Sequence, residues 1–318
     1  MDKNADRIAH QLQSFDFSQL TGLHRVPQEG TDTYVTIRGN MLQIAEQIFR
    51  QIAQVLPEAL CRLEQPRFVL SVSGGSGVGK TCITALLSYL LNQVGLSCHT
   101  LSGDNYPRRI PMYNDAERLH IFREGGLRNM VQNGVYSPEA FEAIQKWQKD
   151  GTDADEAHIE ELPEFAVYRS GGRAALEQYL GTEHELRFQE LNEVIAAFKG
   201  GADSLWLKQL GRDDTALCYK KVNFEKASIL IVEWTHGGSA LLKGIDYPIL
   251  LSSTPQETLS NRIARNRDSN IESAFTALVL DIEQKRIQNG ARTASLIVGI
   301  EGSIWSYPQY CERMGILP

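Results

Sequence analysis

The chain has 318 residues, 42% of them hydrophobic and 22% charged, enough apolar surface for one large α/β domain with elaborations or for a core plus a satellite domain. A formal net charge of −7 excludes general nucleic-acid binding, which needs a broad excess of lysine and arginine, so any basic site must be local. Five scattered cysteines form no zinc spacing, no run approaches the ~18 apolar residues of a membrane span, and the N-terminus lacks a signal-peptide pattern, so a cytoplasmic protein with reduced thiols is expected.

Residues 1–38 are weakly patterned and read only as an N-terminal arm. From Asn40 to about Leu63 the apolar residues Met41, Ile44, Ala45, Ile48, Ile52, Val55 and Leu56 recur every three or four positions, which predicts an amphipathic helix. Residues 1–63 thus form an arm and helix ahead of the core. From Arg67, FVLSVS predicts a strand that breaks at Gly74. A helical pattern runs from about Lys80 to Val94, Gly95 suits the position past its end, and SCHTLSG predicts the next strand. This closes a βαβ unit and implies a parallel sheet.

Residues 107–226 are dominated by helical patterns at Asp115 to Glu124, Leu127 to Gln132, Pro138 to Lys149, Arg173 to Leu180 and Phe188 to Lys199, and read as a helical cap on the substrate side. Ser137 suits an N-cap with Pro138 at the first helical position, and the acidic tract DGTDADEAHIEE reads as a solvated loop. Strand and helix then alternate again. ASILIVEW and DYPILLSS predict strands, Thr254 and Glu257 a capping box, Ile271 to Asn289 a helix and TASLIVG a last strand.

Gly74-Gly75-Ser76-Gly77-Val78-Gly79-Lys80-Thr81 satisfies G-x-x-x-x-G-K-[ST] between a predicted strand and a predicted helix. Glycines let several backbone N–H groups converge on one anion, and the helix N-terminus adds its partial positive charge. The Lys80 ammonium reaches β- and γ-phosphates and the Thr81 hydroxyl can ligate magnesium. These residues are the expected site of ATP with Mg2+. No N-K-x-D or D-x-x-G accompanies the loop, the later apolar strand ends in Glu233-Trp234 rather than Asp-Glu, and no L-S-G-G-Q occurs, which lowers the GTPase, mechanical ATPase and transporter readings.

In an open parallel sheet, chemistry gathers at the carboxyl ends of the strands, where Asp104 and Glu233 fall. Asp104 is placed to accept the proton of an acceptor hydroxyl, and Glu233 to hold magnesium directly or through water. The helix LSNRIARNRD supplies Arg262 and Arg265 on one face, for the γ-phosphate, and Arg267 near its end, as a lid over the phosphates.

These segments together resemble the phosphoribulokinase and uridine kinase family. SVSGGSGVGKT resembles its phosphate loop, GDNYP its acidic strand end, ILIVEW its later acidic strand and the arginine helix its lid. The resemblance covers residues 67–106 and 227–298. It implies an ATP-dependent kinase with Asp104 as base, Glu233 near the metal, and Lys80 and Thr81 at the phosphates. Trp234 stands where the family usually has glycine, and residues 115–188 have no obvious counterpart.

On the acceptor side, Tyr106, Arg108 and Arg109 follow Asp104 and are expected at the mouth, with His120 and Arg123 a turn further on. Tyr168-Arg169-Ser170-Gly171-Gly172-Arg173 joins two arginines to a flexible Gly-Gly at a helix start, an arrangement suited to an anion, and His236 follows Glu233 closely. The expected fold is α/β, a P-loop NTPase-type doubly wound parallel sheet with a helical cap insertion: core at 64–106 and 227–318, cap at 107–226. The expected function is transfer of the γ-phosphoryl group of Mg-ATP to a hydroxyl of a small anionic metabolite, a sugar acid or sugar phosphate. A nucleoside or cofactor-precursor kinase and a regulatory or chaperone ATPase are the alternatives. The expected partner is a small-molecule acceptor, with no nucleic acid and no membrane; a homo-oligomer is open.

Overall fold

A computed structural model describes residues 3–28, 33–61, 67–211, 214–265 and 273–317. The arm begins with α1 (Lys3–Gln13), followed by a hairpin of β1 (Arg25–Pro27) and β2 (Tyr34–Thr36) and by α2 (Met41–Cys61). The nucleotide core opens with β3 (Phe68–Gly74), α3 (Lys80–Gln93) and β4 (Cys98–Ser102). Then come α4 (Pro111–Gln132), α5 (Pro138–Asp150), the short α6 (His158–Glu161), α7 (Phe165–Tyr179) and α8 (Phe188–Lys199). A second hairpin, β5 (Ser204–Gln209) with β6 (Cys218–Asn223), leads to β7 (Ile229–Glu233), β8 (Tyr247–Ser252), α9 (Leu259–Arg265), α10 (Ala274–Ala291), β9 (Leu296–Gly299), β10 (Ile304–Trp305) and α11 (Tyr307–Met314).

The central sheet has six strands in the order β10-β9-β8-β3-β7-β4, parallel throughout except for β10. Its middle strand β3 is buried at every position, which is why FVLSVS reads as a continuous run rather than an alternation. The two serines in that run are satisfied: Ser71 Oγ donates to the Gly237 carbonyl at 2.9 Å and Ser73 Oγ to that of Ile249 at 3.0 Å. The strand after β3 in the chain is not its neighbour in the sheet; β7 lies between β3 and β4. The connections therefore diverge at the carboxyl end of β3, the place where ligands bind in open α/β sheets.

The amphipathic helix expected ahead of the core is part of it. Ile44, Ile48, Phe49, Ile52 and Leu56 of α2 share one buried cluster with α3 and with Leu70, Val72, Ile231 and Leu251 of the sheet. Val26 of β1 is fully buried in the same cluster. The opposite face of the sheet is covered by α8 and the β5–β6 hairpin through Phe188, Leu191, Ile195, Leu207 and Phe224. These elements belong to the core layer, so the separate cap is narrower than 107–226 and consists of α4 to α7 packed on α10.

Within the cap, α4 is one helix where the periodicity predicts two, and Gly125-Gly126 lies inside it. The reason is close approach: Gly171 and Gly172 sit within α7, and a Cβ on Gly126 would stand 2.5 Å from the Tyr168 ring, one on Gly172 2.5 Å from the Phe122 ring. Paired glycines let two helices cross at short range. The acidic tract is mostly exposed, but its Asp153 is buried. The Ser137 cap holds, accepting from Ala140 N at 3.1 Å, and the capping box holds, with Thr254 N donating to Glu257 Oε2 at 2.8 Å. All five cysteines are free, and among the described residues no helix is long and apolar enough to cross a membrane.

Candidate active site

The phosphate loop joins β3 to α3 as its motif requires. Gly74 and Gly79 have φ of +148° and +101°, and each leaves no room for a side chain. A Cβ on Gly74 would lie 2.5 Å from the Leu251 carbonyl oxygen, and one on Gly79 2.7 Å from the sulfur of Met41. Lys80 Nζ donates to the carbonyls of Gly74 at 2.9 Å and Gly75 at 3.1 Å, which holds the ammonium over the loop. Gly75, Ser76, Gly77 and Val78 complete the turn, with Val78 buried as its anchor.

Strand register brings the acidic groups to the same end. Glu233 pairs with Val72 of β3 on one side and Ser102 of β4 on the other, two residues before Asp104. Thr81 Oγ1 donates to Glu233 Oε1 at 2.7 Å. A hydroxyl and a carboxylate side by side at the loop are hard oxygen donors of the kind Mg2+ takes together with nucleotide phosphates and water. No cluster of three or more His, Cys, Asp or Glu suited to a metal occurs among the described residues.

Beyond Asp104 opens a cleft of about 230 Å³ between the core and the cap, lined also by Arg109, Asn114, Arg118, Glu185, Trp234, His236 and Glu283. Glu185 is fully buried and accepts from Asn114 Nδ2 at 2.7 Å, Gly181 N at 2.7 Å and Arg118 Nε at 2.8 Å. Burial opposes its charge, but Arg118 and these hydrogen bonds outweigh that and hold its carboxyl below the usual range. Arg118 also reaches Glu283 at 3.4 Å. The Glu283 carboxyl is pushed up by burial and by the charges of Glu185 and Asp104, against the pull of Arg118 and Lys80. His236 stands edge-on to Trp234, 5.3 Å between ring centroids, and burial with the nearby cations lowers it to about 4 although Glu185 pulls it up. The imidazole is therefore neutral at pH 7.

Several residues expected at the acceptor are engaged elsewhere. Tyr106 is a core residue at 1% exposure, not a rim residue. Arg108 donates through Nε to the Glu183 carbonyl, and Arg109, on the cleft, pairs with Glu117 at 3.0 Å. Arg123 clamps Asp153 with two hydrogen bonds of 2.8 and 2.9 Å, and the Tyr168 hydroxyl donates to the same carboxylate at 3.0 Å. Arg169 donates to the Ala154 carbonyl at 2.9 Å, while Arg173 pairs with Glu177 and Asp281. The Tyr168–Arg173 segment is mid-helix and tightly packed, so it is no anion loop. Only Arg109 and His236 of this group line the cleft.

On the lid side, Arg262 is 7% exposed with its stem against Gly77; one guanidinium nitrogen donates to the Pro255 carbonyl at 3.1 Å and Nε has no partner. Arg265 ends α9, its side chain lying outside the described residues, as does Arg267 altogether. Sequence reasoning missed Asn114, Arg118, Glu185 and Glu283. The spacing of Asn114 and Arg118, four apart just after Pro111, was the available signal, as was Glu283 beside the apolar Val279, Ile282 and Ile287 of α10.

No family model matches the chain. Among curated proteins it is 39% identical over 240 residues to the bifunctional alpha-galactosidase/sucrose kinase AgaSK of Mediterraneibacter gnavus, a match covering 75% of this chain and 21% of that protein. The chain thus spans about a fifth of the length of that relative. Among solved structures it is similar to a possible uridine kinase from Bacillus stearothermophilus, at 12% identity and a TM-score of 0.47, covering 81% of this chain and 99% of that one. It is also similar to D-glycerate 3-kinase from Cryptococcus neoformans, at 12% identity and a TM-score of 0.46, covering 85% and 99%.

Proposed function

We propose that this chain, a relative of P-loop small-molecule kinases, transfers the γ-phosphoryl group of ATP to a hydroxyl of a neutral sugar. The observation that carries the reading is the Thr81–Glu233 pair at the phosphate loop, two residues in register from Asp104 and its cleft. In this reading the loop N–H groups and Lys80 bind and orient the phosphates, and Thr81 and Glu233 would hold magnesium, which neutralises phosphate charge when bound. Asp104 accepts the proton as the acceptor oxygen bonds to the γ-phosphorus and the bond to the β,γ-bridging oxygen breaks, leaving ADP. Arg262, packed on Gly77 with one N–H uncommitted, adds charge stabilisation at the loop.

The choice of acceptor rests on the charge of the cleft. The cations expected to bind an anion are tied up in ion pairs and carbonyl contacts, while Asp104, Asp115 and Glu283 line the opening and the buried Glu185 behind them offsets the charge of Arg118. An anionic acceptor would meet this carboxylate-rich wall; sugar hydroxyls can donate to it, beside the indole of Trp234. The sucrose kinase named in the curated relative points the same way, so a disaccharide is the first acceptor to test. The test is ADP release with a panel of neutral sugars, sugar acids, sugar phosphates and nucleosides. Dependence on a neutral sugar supports the reading; preference for a phosphorylated or acidic sugar, or turnover independent of every acceptor, contradicts it.

A further inference from the structure

The N-terminal hairpin and the start of α2 do more than cover the sheet. A pocket of about 340 Å³ lies against the phosphate loop and shares no lining residue with the acceptor cleft. Its walls come from three places: Tyr34, Thr36, Arg38 and Met41 of the arm, Gly79 with Thr81 at the head of α3, and Asn261 of α9. Met41 is seated directly on the last glycine of the loop, and Asn261 Nδ2 donates to the Gly77 carbonyl at 3.0 Å. Arm, loop and lid helix are thus in contact around one space.

A triphosphate on the loop is a linear group. Its terminal end belongs at the acceptor cleft, beside Asp104 and Glu283, so its other end must leave the loop on the opposite side. Among the spaces lined by residues of the loop itself, size decides which can take the nucleoside attached there; a cavity of about 380 Å³ beside Ser73 and Gly238 touches none of residues 74–81. The hollow between Gly75 and Gln284 holds about 10 Å³, and the one between Thr81 and Lys220 about 100 Å³. Ligand pockets run from roughly 300 Å³ upward, which the arm pocket meets. Its chemistry suits a base and ribose: the Tyr34 ring, 59% exposed and carrying Arg25 at 4.8 Å from its centroid, offers an aromatic face, while Arg38 and Thr36 are polar groups at the rim.

We infer that the arm forms the wall of the nucleoside pocket, so that residues 34–41 hold the base and ribose of the nucleotide whose phosphates lie on the loop. This rests on the nucleotide reading above. The test measures calorimetric binding of Mg-ATP and of inorganic tripolyphosphate to the wild-type chain, to Tyr34→Ala, which removes the aromatic wall, and to Thr36→Trp, which fills the pocket. Both positions are exposed, and thermal melting checks that both variants fold. Expected is a loss of ATP affinity of about tenfold or more in each variant, with tripolyphosphate binding within twofold of wild type. ATP bound equally by all three proteins overturns the arm assignment alone. Equal losses for ATP and tripolyphosphate overturn it too, because the arm then supports the loop rather than the nucleoside. Failure of the wild-type chain to bind ATP overturns the nucleotide reading and this inference together.

Discussion

The Thr81 hydroxyl donates to the Glu233 carboxylate at 2.7 Å, joining the first turn of the loop helix to the end of the neighbouring core strand. If that pair holds magnesium, Glu233→Gln weakens the metal site without emptying the loop. The magnesium needed for half-maximal rate rises by roughly tenfold, and manganese restores part of the turnover. Asp104→Asn behaves differently: turnover falls by about 10²-fold or more with Mg-ATP binding intact, and no metal rescues it. A magnesium titration of both variants separates the roles, and metal rescue of Asp104→Asn alone would reverse them.

Arg123 is a structural clamp and not an acceptor ligand. Arg123→Ala leaves the Asp153 carboxylate, 3% exposed, with only the Tyr168 hydroxyl, and should cost about 3 kcal/mol of stability. The Michaelis constant for the acceptor stays within twofold. Denaturant unfolding and steady-state kinetics check both halves; a raised Michaelis constant at unchanged stability would return Arg123 to the binding site.

The crossing of α4 and α7 depends on the absence of side chains at Gly126 and Gly172. Gly126→Ala places a methyl 2.5 Å from the Tyr168 ring and should destabilise the protein by about 1–3 kcal/mol. Thermal melting reads the effect, and a melting point equal to wild type would show that the helices can separate freely.

His236 gives a pH dependence with a definite sign. Its value is lowered from 6.5 to about 4 in the folded state, so between those values the unfolded chain binds a proton that the folded chain does not. Stability from this group is full above pH 6.5 and is lost as pH falls toward 4. Glu283, raised in the fold, works in the opposite direction as pH rises through its own range. Comparing wild type with His236→Gln isolates the histidine: unfolding free energy of the variant should fall less steeply from pH 7 to 4.5. Equal slopes would contradict a neutral imidazole at the cleft.

The loop, the parallel strands and both acidic strand ends were legible in the sequence because each is local: a motif, an apolar run, a residue at the end of that run. The cap was harder. Its arginines look free in a one-dimensional reading because their partners are distant in the chain; Arg123 meets Asp153 thirty residues away and Arg118 meets Glu185 sixty-seven away. Gly171-Gly172 reads as a flexible turn when only its own neighbours are considered, and becomes a helix contact once Gly125-Gly126 is opposite. The arm was unreadable for a related reason. Its buried residues, Ile8, Leu12, Leu20 and Val26, are spread over short segments, too few in each to set a period, and they are buried by packing on α2 and α3.

The central claim is acceptor-dependent phosphoryl transfer to a neutral sugar, and phosphorus NMR of the reaction mixture tests it most directly. With Mg-ATP and a neutral disaccharide, the wild-type chain should convert ATP to ADP while a phosphomonoester resonance grows in equal amount, and Lys80→Ala should produce neither. Release of inorganic phosphate without a phosphomonoester, or ester formation only on an acidic or already phosphorylated sugar, would contradict it.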